Sequence, residues 1–271
     1  MRLEKYIAAA ANPALLLYKL SKSYIRTYEG FSYRFAKNGE ARLLRKLRDF
    51  NIQTVFDVGA NVGDWSEIAV SNFPNAKVHA FELSEDTFEN LAKSAAAHGF
   101  KANNFGLSDQ EMEITYKDYG ADSTVNTIVG NADFHDQKMP ATIKTGKVST
   151  GDNYCETNDI QFIDILKIDV EGAEHMVLAG FEKMLSERRV AVIQFEYGFV
   201  NGDANFLMKD FYRLFEKWGY AVGPLKPRGV IFGDFEYRLN NFNSGPNFIA
   251  VSNDRPDLVE ALRGPSINGF Y

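Results

Sequence analysis

Apolar, β-branched runs alternate along the chain with segments whose apolar positions recur at helical spacing. The runs predict strands, and they lie at 54–58, 77–83, 101–107, 161–170, 189–198, 219–225 and 247–252. Between them, sets such as Trp65, Ile68, Ala69 and Phe73 share one face of a helix. Strands and helices in alternation predict an α/β fold, with a mostly parallel sheet covered by helices on both faces. Such sheets bind ligands beyond the carboxyl ends of their strands.

Cap residues predict where several of these helices begin and end. Ser84 is placed to begin one helix and Gly99 to end it. Residues 174–185 read as one continuous helix, and Asp203 is expected to begin another that Gly219 ends.

The stretch "TVFDVGANVGDW" turns abruptly from the first predicted strand into a helix. Gly59 and Gly63 allow positive φ and a close approach of ligand to backbone, and Asn61 tolerates the left-handed region better than most residues. The dinucleotide fingerprint would need glycine at 61 and 64, where Asn61 and Asp64 stand. Acidic residues here suit a cationic ligand better than a pyrophosphate. The corner therefore favours S-adenosylmethionine over NAD.

Glu82 ends the second predicted strand, about twenty residues after the glycine turn. An acidic side chain at that position accepts hydrogen bonds from both hydroxyls of a ribose. The corner and this residue together predict a nucleoside-binding site.

Charge and composition limit the kinds of partner and the compartment that the sequence predicts. The net charge of −6 over 271 residues argues against a nucleic-acid surface. The charge is uneven, because residues 1–50 carry +7 and the remainder −13. A single cysteine, Cys155, and the lack of a secretion signal or long apolar run predict a cytoplasmic protein. We expect a helical arm at 1–50 and one domain at 51–271. The arm either packs on the body or across a homodimer, or rests on an anionic membrane surface at the inner face of the membrane.

Five segments in order resemble the FkbM-type S-adenosylmethionine-dependent methyltransferases. They are "DVGANVGDW", "AFELSEDTFENLAKS", "NFGLSDQE", "IDILKIDVEGAEHMVLAG" and "VIQFEY", within residues 50–252. The resemblance implies a Rossmann-like, seven-stranded class I sheet in the order 3-2-1-4-5-7-6, with its last strand antiparallel. Gly151 departs from the pattern, which has leucine at that position.

The resemblance also implies the residues that hold the cofactor. Asp57, Gly59, Ala60, Asn61 and Gly63 would hold the methionine end of S-adenosylmethionine. Glu82 would bind the ribose, and Leu83, Ser108 and Asp109 would lie along the adenine. Asp169 would face the transferred methyl group and the acceptor.

Four charged residues converge where the fourth and fifth predicted strands end. Lys167, Asp169, Glu171 and Glu196 leave three uses open. One carboxylate is a general base with its pKa raised by its neighbours, or two share a magnesium ion, or Lys167 keeps one ionised. His135, in the long segment before the fourth strand, is a further candidate base.

The expected function is O-methylation of a saccharide or glycan precursor. The open alternatives are O-methylation of a polyketide, lipid or other small molecule, a nicotinamide-dependent oxidoreductase, and a non-catalytic nucleoside-binding scaffold. Residues 120–148 and 226–245 are expected to recognise the acceptor.

Overall fold

The computed structural model describes residues 12–29, 31–118, 142–242 and 245–265. The strands within these ranges are β1 (Thr54–Val58), β2 (Lys77–Phe81), β3 (Lys101–Asn103), β4 (Gly106–Leu107), β5 (Met112–Asp118), β6 (Thr142–Ser149), β7 (Ile163–Ile168), β8 (Val190–Glu196), β9 (Tyr220–Lys226), β10 (Gly229–Val230) and β11 (Asn247–Ser252).

The central sheet has eight strands in the order β3-β2-β1-β7-β8-β11-β9-β10. Neighbours from β3 to β8 pair in parallel, and β11 is antiparallel to both β8 and β9. The first seven of these strands follow the order 3-2-1-4-5-7-6, with the last strand in the chain antiparallel, so the fold class is confirmed. The two-residue β10 extends the edge beyond β9 and was not predicted.

Helices cover both faces of this sheet. Those within the described residues are α1 (Pro13–Tyr28), α2 (Glu40–Leu47), α3 (Asp64–Asn72), α4 (Glu85–His98), α5 (Gly151–Thr157), α6 (Glu174–Ala179), α7 (Glu182–Ser186), α8 (Phe199–Asp203), α9 (Met208–Trp218) and α10 (Pro256–Leu262). One core layer lies between the sheet and α5, α6, α7 and α9, and the other lies under α2, α3, α4 and α10. No helix in the described ranges is long and apolar enough to span a bilayer.

Of the four residues predicted to begin or end α4 and α9, three do so. The Ser84 hydroxyl accepts a hydrogen bond from the Thr87 amide, and Gly99 and Gly219 end their helices with φ of +83° and +78°. Asp203 was expected to begin the second helix, and this is wrong. It ends the short α8, and α9 begins later because the Asp210 carboxylate accepts from the Leu207 amide.

The third predicted strand, 101–107, is broken in two. β3 completes the central sheet, whereas β4 joins a separate sheet in the order β4-β6-β5. β4 pairs in parallel with the end of β6, and β6 pairs along its length with β5. This small sheet was missed because its pairing partner, β6, lies about forty residues along the chain from β4.

The predicted helix at 174–185 is also broken, at Gly180. A Cβ built on Gly180 would lie 1.9 Å from the carbonyl oxygen of Ser108, so the backbone passes too close for any side chain. The second half begins separately because the Asp152 carboxylate accepts from the amides of Lys183 and Met184.

The first fifty residues divide into two parts. Leu43, Leu44 and Leu47 of α2 are buried in the core, so this helix is built into the body. Every side chain from 12 to 27 is exposed, so the expectation that the arm packs on its own body does not hold for α1. The boundary between arm and domain at residue 50 stays a prediction.

Replacing Gly180 with alanine should lower the free energy of unfolding by about 1–3 kcal/mol, because the new methyl group overlaps a backbone carbonyl that cannot move freely. Urea denaturation measures the difference. Gly233→Ala is the matched control, since a Cβ there meets nothing within 4 Å. Equal stability of the two variants would show that the close approach at Gly180 is not a constraint.

Candidate active site

The turn after β1 has the backbone that its residues predict. Gly59 and Asn61 both adopt positive φ, at +78° and +49°. A Cβ on Gly59 would lie 1.8 Å from the backbone oxygen of Asp169, so only glycine allows the ends of β1 and β7 to meet. The corner therefore brings the carboxyl ends of β1 and β7 together at one edge of the sheet.

Glu82, just after β2, points its carboxylate into this corner. It accepts hydrogen bonds from the amide of Asn61 at 3.0 Å and from the amide of Ser84 at 2.8 Å. Burial raises the pKa of Glu82, although these amides favour the charged form. The side chain is thereby held in one orientation while it lines the cleft.

A cleft with a volume of about 390 Å³ runs along the carboxyl edge of the sheet from Glu82 to Asp169. Part of its wall is apolar and comes largely from the small sheet and the residue after Glu82. These wall residues are Leu83, Leu107, Ile114, Tyr116 and Val148. An apolar wall beside a carboxylate suits a nucleoside, whose base stacks while its ribose accepts and donates hydrogen bonds.

Lys167 lies at the floor of the cleft between two carboxylates. Its Nζ is 3.1 Å from Asp57 and 3.3 Å from Asp169, and the Ser66 hydroxyl donates to Asp57 at 2.7 Å. Burial disfavours the ammonium, but the charges of Asp57 and Asp169 outweigh it and raise the pKa of Lys167. Lys167 is therefore held as a cation, and its charge favours the ionised form of Asp169. The use of this cluster in catalysis stays a prediction.

Asp169, Glu171 and Glu196 meet beside this ammonium, with one oxygen of each lying within 4.8 Å of the others. Burial opposes ionisation of Asp169, yet Lys167 and a hydrogen bond with Glu196 lower the pKa of Asp169. Burial, followed by the charge of Asp169, raises the pKa of Glu171 and of Glu196 well above their usual value. The cluster therefore holds one carboxylate ionised and two that retain protons more tightly.

Three oxygen donors at this spacing are the kind that a hard cation such as magnesium prefers. However, the ammonium of Lys167 already neutralises Asp169, and Asp169 and Glu196 share a hydrogen bond. A cation at this site would compete with both interactions.

Residues before β1 complete the cleft, although no sequence motif marks them. Tyr33, Phe35 and Glu40 all line it. Glu40 is buried, and its carboxylate accepts from Gln194 of β8 at 2.5 Å and from Asn38. Burial raises the pKa of the Tyr33 phenol, and the nearby charges of Glu196 and Glu171 raise it further. The segment 33–40 thus walls the carboxylate end.

The structure brings most of the predicted site residues to one cleft. Those that line it are Gly59, Ala60, Asn61, Glu82, Leu83, Lys167, Asp169 and Glu171. Glu196 belongs to the carboxylate cluster but does not line the cleft. His135 lies outside the described residues. The segment 226–245 contributes no lining residue among its described positions, and several of its aromatics instead line a separate groove against α9.

Four predicted cofactor residues do not line the cleft. Asp57 is fully buried beneath it, where Ser66 and Lys167 take its carboxylate. Gly63 packs against Leu91 and Phe100. Ser108 and Asp109 follow β4, and the Ser108 amide donates to the carbonyl of Ser149 in the small sheet. Their assigned contacts with the cofactor stay predictions, and Asp57 acts on the cleft through Lys167.

The strand order, the glycine corner at the end of β1 and the acidic residue at the end of β2 define a class I S-adenosylmethionine-dependent methyltransferase fold. A family model described as the methyltransferase FkbM domain matches residues 57–222. The chain belongs to this family.

Two curated relatives carry informative names. The chain is 26% identical over 158 residues to the hexuronic acid methyltransferase AglP of Haloferax volcanii, covering 58% of this chain and 61% of that protein. It is 30% identical over 154 residues to the 31-O-demethyl-FK506 methyltransferase FkbM of Streptomyces tacrolimicus, covering 47% and 59%. The chain thus matches about six tenths of the length of each relative.

Solved methyltransferases resemble the chain at low identity. A precorrin-6y C5,15-methyltransferase from Geobacter metallireducens aligns with a TM-score of 0.40 and 13% identity, covering 80% of this chain and 89% of that one. The O-methyltransferase TomG from Streptomyces achromogenes, solved with S-adenosylmethionine, aligns with a TM-score of 0.41 and 11% identity, covering 84% and 89%.

Replacing Lys167 with methionine should lower the free energy of unfolding by about 3–5 kcal/mol, because the fully buried carboxylate of Asp57 loses its counter-charge. The double variant Asp57→Asn/Lys167→Met should lose less than the sum of the single changes. Chemical denaturation measures both. Lys217→Met, which removes an exposed pair with Glu182, should cost at most about 1 kcal/mol. A comparable loss in both lysine variants would contradict the role given to Lys167.

Proposed function

We propose that this protein transfers a methyl group from S-adenosylmethionine to a hydroxyl of a saccharide or glycan precursor. One observation carries the proposal. A single cleft joins a nucleoside-binding end, with Glu82 and an apolar wall, to an end where Asp169 and Glu171 face an open mouth. Cofactor and acceptor would therefore meet at the carboxyl edge of β7.

The residues at the first end fit the cofactor. The carboxylate of Glu82 is oriented to accept from the ribose hydroxyls, and the glycine corner leaves room for the methionine portion. Acidic side chains near the corner, including Asp64 and Asp169, suit its positive charges. When bound, S-adenosylmethionine supplies a methyl group that its sulfonium has already activated, so the protein's task is to align an oxygen and accept its proton.

The cluster at the second end divides that task between two carboxylates. Asp169, held ionised by Lys167, accepts a hydrogen bond from the acceptor hydroxyl and orients it. Glu171 lines the cleft and has a raised pKa, which makes it a stronger base than Asp169. In this proposal the hydroxyl proton passes to Glu171 as the oxygen takes the methyl group.

The wall of the mouth supports a saccharide acceptor. Tyr33 and Phe35 offer aromatic surfaces to the CH face of a sugar, and the carboxylates beside them accept from its hydroxyls. The name of one relative states hexuronic acid as its substrate. The name of the other states a demethylated FK506, so a hydroxyl of a natural product is the second candidate. The buried thiol of Cys155 supports the cytoplasm as the compartment.

Magnesium is an alternative partner for the same three carboxylates. If it orients the acceptor, added magnesium should raise turnover and a chelator should abolish it. With Lys167 as the resident positive charge, neither addition should change turnover.

Binding of S-adenosylhomocysteine tests the first end of the cleft. Replacing Glu82 with alanine should weaken it about ten- to a hundredfold, because the ribose loses a charged hydrogen-bond acceptor. Titration calorimetry measures the affinity, with the exposed Glu156→Ala as matched control. Unchanged affinity in Glu82→Ala would refute the assigned ribose contact, and tight binding of NAD would refute S-adenosylmethionine as the cofactor.

Turnover tests the second end. With labelled methyl donor, a panel of uronic-acid oligosaccharides and a hydroxylated macrolide should show by mass spectrometry which class gains a methyl group. The rate should rise with pH as Glu171 loses its proton, above the ordinary glutamate value of 4.5. Glu171→Gln should lower the rate about 10²–10⁴-fold and remove this rise.

Two results would overturn the turnover proposal. An unchanged pH profile in Glu171→Gln would remove that residue as base. Tight binding of S-adenosylhomocysteine with no product from either acceptor class would favour a non-catalytic nucleoside-binding scaffold.

A further inference from the structure

Helix α1 exposes an unusual amount of apolar surface. Seven large apolar or aromatic side chains along it are between 38% and 71% exposed, and they are Leu15, Leu16, Leu17, Tyr18, Leu20, Tyr24 and Ile25. Elsewhere in the described ranges, large exposed side chains occur singly, at positions such as Phe162 and Tyr237. A soluble helix of this composition normally buries such a face.

The charges of α1 are arranged around this apolar surface. Lys19, Lys22 and Arg26 fall within a narrow stripe of about 60° at 100° per residue, with Leu15 between them. Apolar and small uncharged side chains from Leu16 round to Tyr18 occupy about 200° of the circumference. The helix contains no acidic residue.

This arrangement suits an anionic lipid surface better than a protein partner. A two-stranded helical contact needs a narrower apolar seam, which would leave part of this arc in water. Lipids cover the whole arc with acyl chains while their anionic headgroups pair with the basic stripe. The 16-residue helix would lie in the interface without crossing it.

The end of α1 is tied to the mouth of the cleft. The Lys226 ammonium contacts the carbonyl of Glu29 at 2.8 Å and its carboxylate at 2.5 Å, which fixes the helix end against β9. Tyr33, four residues later, lines the carboxylate end of the cleft. The mouth therefore lies within about 14 Å of the helix end along the chain.

We propose that α1 lies in the surface of an anionic membrane and holds the mouth of the cleft beside it. Resting on the proposed function, the same geometry would present the cleft to an acceptor hydroxyl carried on a membrane lipid. The attachment itself is independent of methyl transfer, so it is tested without turnover.

Sedimentation of the full chain with vesicles tests the attachment. We expect binding to vesicles of phosphatidylglycerol and phosphatidylcholine, little to phosphatidylcholine alone, and a marked loss between about 0.1 M and about 1 M salt. The triple variant Lys19→Gln/Lys22→Gln/Arg26→Gln should bind anionic vesicles about a hundredfold more weakly.

A second variant and a matched control distinguish the contribution of charge to vesicle binding from that of apolar contact. Leu16→Ser/Leu20→Ser should weaken binding at least about tenfold at either salt concentration. Lys77→Gln/Lys93→Gln/Lys183→Gln, which removes three exposed lysines elsewhere, should bind like the parent. Thermal unfolding should change little in any variant, since the altered side chains are exposed. The triple variant also removes the contact of the Arg26 guanidinium with the Phe31 ring, 4.3 Å from its centroid.

Two outcomes would overturn the proposal. The full chain could sediment equally with anionic vesicles, neutral vesicles and no vesicles. Alternatively, light scattering could show a dimer in solution that Leu16→Ser/Leu20→Ser dissociates, with no vesicle binding, which would make α1 a contact between two copies. Both results would leave the binding of S-adenosylhomocysteine, and with it the proposed function, intact.

Discussion

One ammonium group at the floor of the cleft links its two ends. Lys167 pairs in register with Asp57 across β7 and β1, and its Nζ also reaches Asp169 two residues further on. Burying an ammonium costs several kcal/mol unless carboxylates lie close to it. The strand ends can therefore hold only a narrow range of positions. Because Gly59 follows Asp57 by two residues, the same ion pairs fix the cofactor corner and the carboxylate cluster together.

The single positive charge also sets the roles of the surrounding acids. The charge of Lys167 acts on the carboxyl groups of Asp57, Asp169, Glu40 and Glu171, and it cannot neutralise all of them. Asp57 and Asp169 contact it directly, whereas burial and mutual repulsion raise the pKa of Glu40, Glu171 and Glu196. Groups whose pKa values are driven apart in one site are suited to different steps of a proton transfer. This difference is why Glu171, and not Asp169, is the better candidate base.

The sequence predicted those parts of the structure that depend on neighbouring residues. The bounds of β1 and β11, the left-handed backbone of Asn61 and the cap at Ser84 all follow from local patterns. The break in 101–107 does not, since β4 turns away only to pair with β6, beyond a long intervening segment. The wall formed by residues 33–40 does not follow from local patterns either. These residues reach the cleft by packing against a strand far along the chain, as Glu40 does against Gln194 of β8.

Gly151, where the resemblance to the family implies leucine, lies in the core against Phe181. A Cβ at Gly151 would lie 2.2 Å from the ring of Phe181, so that ring already fills the space that a leucine side chain would need. Exchanging volume between neighbouring core residues is tolerated well. Asp152 meanwhile caps α7 through two backbone amides.

The residues proposed to meet the acceptor lie partly outside the family match. The family match covers residues 57–222, whereas Tyr33, Phe35 and Glu40 precede it and still line the cleft. The cofactor end and the carboxylates lie within the matched span, so the proposed methyl transfer rests on shared family architecture. The aromatic wall at the mouth lies outside it. In the proposed function, selection among hydroxyl acceptors should therefore depend in part on Tyr33 and Phe35, which lie between α1 and α2.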